Sequence, residues 1–449
     1  MSLPRYEHYK KSGRQWLGKV PEHWDVTPLK YVASLKGRLG WQGLRADEYT
    51  EDGPYLVTSE HFINEAIDWT RCYHVSPERY EIAPEIQLRA DDVLMMKDGA
   101  AMGKLAYVDS LPGPACLNSH LLLFRPVRSR FENRFLFYVL GGPSFKTYMA
   151  QKRTGTTFFG ISQESIGAFS VALPPISEQR VILEFLSHET GKIDALVSEQ
   201  QRLIELLKEK RQAVISAAVT KGLVPTTRMK QSRIEWLGKV PEHWDVVRLG
   251  ALFRETADEG SDELPVLSVS IHDGVSDREF ENDELDRKVT RSEDRTKYKR
   301  VQPGDLVYNM MRAWQGGFGT VAVSGMVSPA YVVARPITKI HTEFIEQLLR
   351  TPHAIEELRR HSHGVTDFRL RLYWDEFKSI KVALPPVGEQ DEILEFLSRE
   401  TTKFDALTAE AVAGISLLQE RRTALIAAVV GGKIDVRGLV TAAPEKDAA

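Results

Sequence analysis

The sequence predicts an α+β protein: two globular mixed α/β domains with an internal pseudo-twofold repeat, separated by a pair of long antiparallel coiled-coil helices. Three observations predict it. The segment WLGKVPEHWDV occurs twice without a change, at Trp16 to Val26 and at Trp236 to Val246. A second block, Leu173 to Leu196, matches Leu384 to Leu407 at 17 of 24 positions. Between these near-copies lie two stretches, Thr27 to Ala172 and Val247 to Ala383, that barely resemble each other. A duplicated frame carrying two divergent inserts presents two different surfaces about a twofold axis. That suits a target with its own twofold axis, and duplex DNA is the commonest such target.

The chain has 449 residues, too many for one core and suited to two domains plus connectors. Composition is ordinary globular, 42% hydrophobic and 27% charged. No apolar run is long enough to span a bilayer, and the first residues lack the apolar core of a secretory signal. Cys72 and Cys116 match neither metal spacing nor a disulfide framework, so a reducing, cytoplasmic setting is expected. Net charge is −3, with 16 basic and 16 acidic residues in the first insert and 20 and 22 in the second. A phosphate-gripping protein is usually basic. Either the chain does not bind DNA, or cations cluster locally, as in Arg287, Lys288, Arg291, Arg295, Lys297, Lys299 and Arg300, while partner subunits supply much of the backbone contact.

After Pro174-Pro175 the frame turns helical, with Ser177 expected as N-cap and a break or kink expected at Gly191. Beyond it a heptad seam runs through Ile193, Leu196, Gln200, Leu203, Leu207, Lys210, Val214 and Ala217. Adding 211 gives the second seam: Phe404, Leu407, Ala411, Gly414, Leu418, Arg421, Leu425 and Ala428. Each seam is the obvious partner of the other. Lys192 to Val219 would span about 42 Å at ~1.5 Å per residue, close to the ~34 Å between half-sites one DNA turn apart. Gly414, Ala411 and Ala428 thin the second seam and leave room for helices of another protein; the isolated chain would then aggregate.

Each insert alternates short strands with Gly, Pro and Asp turns. Each reaches a strand ending in Arg-Pro, LNSHLLLFRP (Leu117 to Pro126) and VSPAYVVARP (Val327 to Pro336). A helical segment follows, Asn133 to Gln151 and Thr342 to His361, and then a polar loop, Arg153 to Ser162 and His361 to Trp374. The shared order implies one fold with diverged loops. The identical motif itself reads as structural, because readers of different sequences would not share base contacts. It is expected to pack where each domain meets the helix pair or to face a partner, with His23 and His243 as buried, hydrogen-bonded histidines.

These motifs resemble the specificity subunit of Type I restriction-modification systems. The likeness covers nearly the whole chain, through SGxxWLGxxPxHW (Ser12 to Trp24), LPPxxEQ (Leu173 to Gln179, Leu384 to Gln390) and GDLVYNMMRAWQGGFG (Gly304 to Gly319). It implies target-recognition domains at residues 1–172, with frame segment 12–26, and 223–383, with frame segment 232–246. It also implies conserved spacer helices at 173–222 and 384–436 and a flexible tail at 437–449. Each domain would read half of a bipartite, asymmetric double-stranded DNA target. The helices, with seam residues Ile193, Leu196, Leu203, Leu207, Val214, Phe404, Leu407, Leu418 and Leu425, would dock two modification (methyltransferase) subunits that methylate adenine. Restriction subunits, translocase and nuclease, would join. S-adenosylmethionine, ATP and Mg are then expected on the partners, with no cofactor on this chain.

The residues agree on catalysis by absence. No Asn-Pro-Pro-Phe/Tyr or Asp-Pro-Pro-Tyr segment is present to position a flipped adenine. Gly13 to Val20 spells Gly-x4-Gly-Lys but ends in Val, where magnesium binding needs Ser or Thr. His353, His361 and His363 are too loosely spaced to argue for zinc. Base readout needs polar side chains on loops beside a rigid sheet. The candidates are Lys97, Lys104, Asn118, His120, Arg153, Thr156, Thr157 and Phe158 in the first insert. In the second they are Asn309, Arg312, Trp314, Gln315, His363, Thr366, Arg369 and Arg371. Trp314 could instead be core, Thr156 and Thr157 turn caps, and Asn118 a strand brace. Two other readings stand beside this one: a scaffold or anti-restriction decoy without DNA readout, and an enzyme, a self-contained DNA methyltransferase or nuclease with unfamiliar motifs.

Overall fold

The computed structural model describes residues 3–37, 48–127, 130–154, 160–261, 263–271, 274–276, 297–364 and 370–439. The chain divides into two compact units, the first of Met1–Glu199 with Gly414–Ala449 and the second of Gln200–Ala413. Of the basic run, Arg287, Lys288, Arg291 and Arg295 lie outside the described residues.

The first unit is built on a four-stranded antiparallel sheet in the order Leu105–Tyr107, Val93–Met96, Leu121–Pro126, Ala33–Lys36. The second unit repeats that order with Phe318–Thr320, Leu306–Asn309, Tyr331–Pro336 and Phe253–Thr256. In both, the central strands are apolar at consecutive positions because both sheet faces are covered. Val93, Met95, Leu122 and Phe124 enter one core while Leu94, Leu121 and Leu123 enter another. Leu306, Tyr308, Val332 and Ala334 alternate in the same way with Val307 and Val333. The Arg-Pro strand ends each carry an ion pair to a buried aspartate. Arg125 grips Asp92 through two bonds of 2.8 and 2.7 Å, and Arg335 grips Asp305 through two of 2.9 Å.

The helical segment after each Arg-Pro strand is two helices, not one: Asn133–Gly141 with Pro143–Lys152, and Thr342–Leu349 with Pro352–Arg360. Proline at the first helical position lacks an N–H and forces the preceding residue, Gly142 or Thr351, into an extended conformation.

The long helices run Ile176–Lys221, 46 residues, and Val387–Val430, 44 residues. The first begins before Ser177, so Ser177 lies inside the first turn and is not the N-cap. It also passes through Gly191 unbroken. A helical glycine costs only about 1 kcal/mol, and packing of Leu186 and Ile193 on either side holds the backbone. Within the first unit, Ile182, Phe185 and Leu186 share a core with Ile426, Val429 and Val430. Within the second, Ile215, Ala218 and Val219 share one with Ile393 and Leu397. The start of one helix thus meets the end of the other, an antiparallel pairing. Each unit repeats one ion pair across it: Asp194–Arg422 at 3.1 Å and Asp405–Arg211 at 3.7 Å.

The seam is phased differently from the heptad reading. Ile193 and Phe404 are buried, and Leu207, Val214, Leu418 and Leu425 are partly so, but Leu196, Leu203 and Leu407 are exposed. The covered face steps from Ile193 to Val197, Gln200, Ile204 and Leu207, by four and then three. Leucines stand on both possible phases, so spacing alone could not choose between them. Leu196 and Leu417 are 51% and 66% exposed in the first unit, and Leu407 and Leu206 are 48% and 51% exposed in the second. By the 211-residue offset these two pairs are counterparts.

Candidate nucleic-acid interface

The repeated motif proves to be a joint. In the first unit the buried Glu178, in the first turn of the central helix, accepts hydrogen bonds on Oε1 from Tyr6 Oη at 2.7 Å and Trp24 Nε1 at 3.1 Å. His23 Nε2 lies 2.7 Å from its other oxygen. Burial, and then the bond to Glu178, push the Tyr6 phenol well above its ordinary range. Next to Glu178, Gln179 donates to the carbonyls of Pro174 and Arg130 and accepts from the Glu132 N–H. Gly432, just past the C-terminal helix, has φ +67°, and a Cβ there would meet Pro21 at 2.4 Å. The second unit repeats the plan with His243 on Glu389 at 2.7 Å and with Gln390 bonded to Pro385 and His341. The motif therefore packs where domain and helices meet, which explains its identity in both copies. The two histidines are hydrogen-bonded as expected, but they are partly exposed and not buried.

The candidate readers gather around the turn that follows the second strand of each sheet. In the first unit, Ile161 N donates to Lys97 O at 3.1 Å and Lys97 N to His120 O at 3.0 Å. Asp98 bridges Gly160 in the returning loop. His120 Nδ1 is 2.7 Å from Asp98 Oδ1, and Asn118 Oδ1 accepts the His120 N–H. Lys97, Asn118 and His120 thus meet on one face, with Arg153 exposed at the base of the loop. Asn118 shapes a turn between strands. Lys104 is the exception: its Nζ donates to Ser59 O at 3.2 Å. Thr156, Thr157 and Phe158 lie outside the described residues.

The second unit assembles the equivalent place differently. Leu372 N donates to Met310 O, and His363 and Arg371 pair as an antiparallel bridge beside that turn. The turn itself needs glycine, because a Cβ on Gly317 would stand 2.9 Å from Arg312 O. Arg312 and Gln315 are exposed. Asn309 caps Met311 N, and Trp314 is half-buried, its Nε1 donating to Met311 O and its ring under Arg359. Thr366 and Arg369 lie outside the described residues. Two acidic residues belong to these faces although readers were sought among cations and amides. They are Asp98, and Glu376, which lies 3.3 Å from both His361 and His363. Bonds from His363 and then His361 hold the Glu376 carboxyl below its ordinary range. Among the described residues, no cluster of His, Cys, Asp and Glu could hold a metal, and no helix is long and apolar enough to cross a membrane.

One sheet scaffold is used twice, each on its own copy of the same joint and with different polar loops in the same place, the arrangement of a modular binding protein. The model of the Type I restriction modification DNA specificity domain matches residues 21–206 and 241–414, and the chain belongs to that family. It is a DNA sequence-recognition subunit and not itself the catalyst. A Methanocaldococcus jannaschii protein assigned as the MjaX specificity subunit of a type I restriction enzyme is 28% identical over 54% of this chain. That match spans about half of the relative's length, 55%. The EcoKI specificity subunit of Escherichia coli K12 is 22% identical over 93% of this chain and 90% of its own. A chain from a structure describing complex assembly and conformational transition of the type I R-M system shares the fold. It has a TM-score of 0.64 and 14% identity, and the match covers 92% of this chain and 99% of that one.

Proposed function

We propose that the two domains read the two halves of a bipartite, asymmetric duplex DNA target and direct partner subunits to methylate adenine there or to cut unmodified DNA. The observation that carries this is the contrast at one equivalent place. Lys97, Asp98, Asn118 and His120 stand in one unit where Asn309, Arg312, Trp314, His363 and Arg371 stand in the other, beside equivalent sheets. A scaffold that bound only protein would not need two sets of polar loops. Two modification subunits would dock on the exposed leucine pairs, Leu196 with Leu417 and Leu407 with Leu206, since each unit offers the same pair. Restriction subunits would join that assembly. S-adenosylmethionine, ATP and Mg would be held by the partners. The reading is tested by long-read methylation mapping of DNA from cells with this chain and its modification partner, against cells lacking the chain. A split motif, adenine-methylated once on each strand, is expected only when the chain is present. Formation of the partner complex without such a motif would favour the decoy.

A further inference from the structure

The repeated segment carries more than the joint. It folds as a hairpin in each unit, Tyr9–Lys11 with Lys19–Pro21 and Met229–Gln231 with Lys239–Pro241. These hairpins are basic in a chain of net charge −3. Lys10 and Lys19 recur as Lys230 and Lys239, and each turn adds an arginine, Arg14 or Arg233. Among the described residues none of the six takes part in an ion pair, and all but the half-buried Lys230 are exposed. Two features of the hairpins carry a cost in stability. Lys11 stands directly opposite Lys19 across the hairpin, and like charges in that position repel. Arg233 has φ +60°, a left-handed conformation that the first copy gives to Gly13 at φ +69°. Both hairpins also touch the helices that lead into the reading loops. Trp16 packs its ring 4.9 Å from Tyr148, on the helix that ends at Lys152 and feeds Arg153. Glu235 lies 3.6 Å from Arg360, the last residue of the helix that feeds the loop at His361 to Arg371.

From the unpaired cations, the recurrence of two lysines in each hairpin and their place beside the helices that feed the reading loops, we infer that the two hairpins are phosphate clamps. They grip the DNA backbone flanking each half-site regardless of sequence. This rests on the DNA-reading proposal above. Base contacts would have to differ between the units, whereas phosphates are the same everywhere along a duplex. A loop lying in a groove also has phosphates on its flanks, within reach of an element packed beside the helix that feeds it.

The test uses the purified complex with its modification subunits and the quadruple variant Lys10→Gln, Lys19→Gln, Lys230→Gln, Lys239→Gln. Affinity is measured against salt for a duplex carrying the mapped motif and for a scrambled duplex. Each lost phosphate contact lowers the slope of log affinity on log salt by about one, so a drop of about four is expected. Both duplexes should weaken alike, by about a hundredfold at 0.15 M salt, with the methylated motif unchanged. The matching quadruple Lys→Arg variant should bind as the unaltered protein does, which separates charge from folding. An unchanged slope would overturn the inference. So would loss of the modification subunits with folding intact, which would make the hairpins a protein dock, or a motif altered in one half, which would make them base readers. If the unaltered complex showed no preference for any sequence, the reading proposal would fail, while the scrambled duplex would still measure the clamp.

Discussion

The two joints use one motif under different covalent circumstances. In the first unit the joint is assembled from pieces far apart in sequence: residues 4–24, the start of the central helix and the end of the chain. Asp435 N bonds to Pro4 O at 2.9 Å, and the Arg437 guanidinium lies 5.0 Å from the Tyr6 ring. Three donors converge on Glu178. In the second unit, the end of the central helix at Gly222 runs on continuously to Trp244. Among the described residues, the Glu389 carboxylate has His243 as its only hydrogen-bond partner, and Trp244 Nε1, though buried, has no acceptor. Covalent continuity already limits the freedom of those pieces, so fewer bonds are needed to hold them. Identical sequence thus does not mean identical energetic weight.

The sharpest way to break that comparison is to remove each glutamate. Glu178→Ala leaves the Tyr6 and Trp24 donors unsatisfied in a buried site, and each such group costs about 1–3 kcal/mol. It should destabilise the first unit by roughly 3 kcal/mol or more, against about 1 kcal/mol for Glu389→Ala in the second. Denaturant melts of the two variants would show it, and equal losses would mean that connectivity contributes nothing.

A smaller effect separates the readers. His120→Ala should relax base preference in the first half-site only and Arg312→Ala in the second only, each by about 1–3 kcal/mol of discrimination. Selection from randomised duplexes measures this; loss at both halves from either change would contradict independent readers.

The smallest expected effect concerns pH. Glu376 has a depressed folded-state pKa, so its hold on His363 is present above the unfolded carboxylate value and is lost as pH falls through the folded one. Below about pH 4.5 the Leu372–Met310 bond should exchange its amide faster, while the Ile337–Leu252 bond of the same unit, away from that glutamate, should not follow. Hydrogen exchange at the two amides decides it.

Duplication made the frame legible before any coordinates, because two copies of WLGKVPEHWDV and of the LPPxxEQ helix fix where the units repeat. The shared strand order was legible too, from the Arg-Pro endings that Asp92 and Asp305 turn out to anchor. Helix phase was not, because Leu196 and Val197 are both apolar and only packing selects Val197. The split helices were readable in Pro143 and Pro352 but were overridden by the apolar pattern around them. Lys104 looked like a reader by type, yet a carbonyl at Ser59, distant in sequence, claims its amine. Asp98 escaped notice because an acid fits no simple rule for touching DNA, and its role beside His120 exists only once three segments meet.

The central claim is that one frame holds two independent readers. It is tested most directly by exchanging residues 27–172 for the insert of another family member and mapping methylation in cells that carry the modification partner. The account predicts a new motif in which one half changes and the other half is kept. A change in both halves, or in neither, would contradict it.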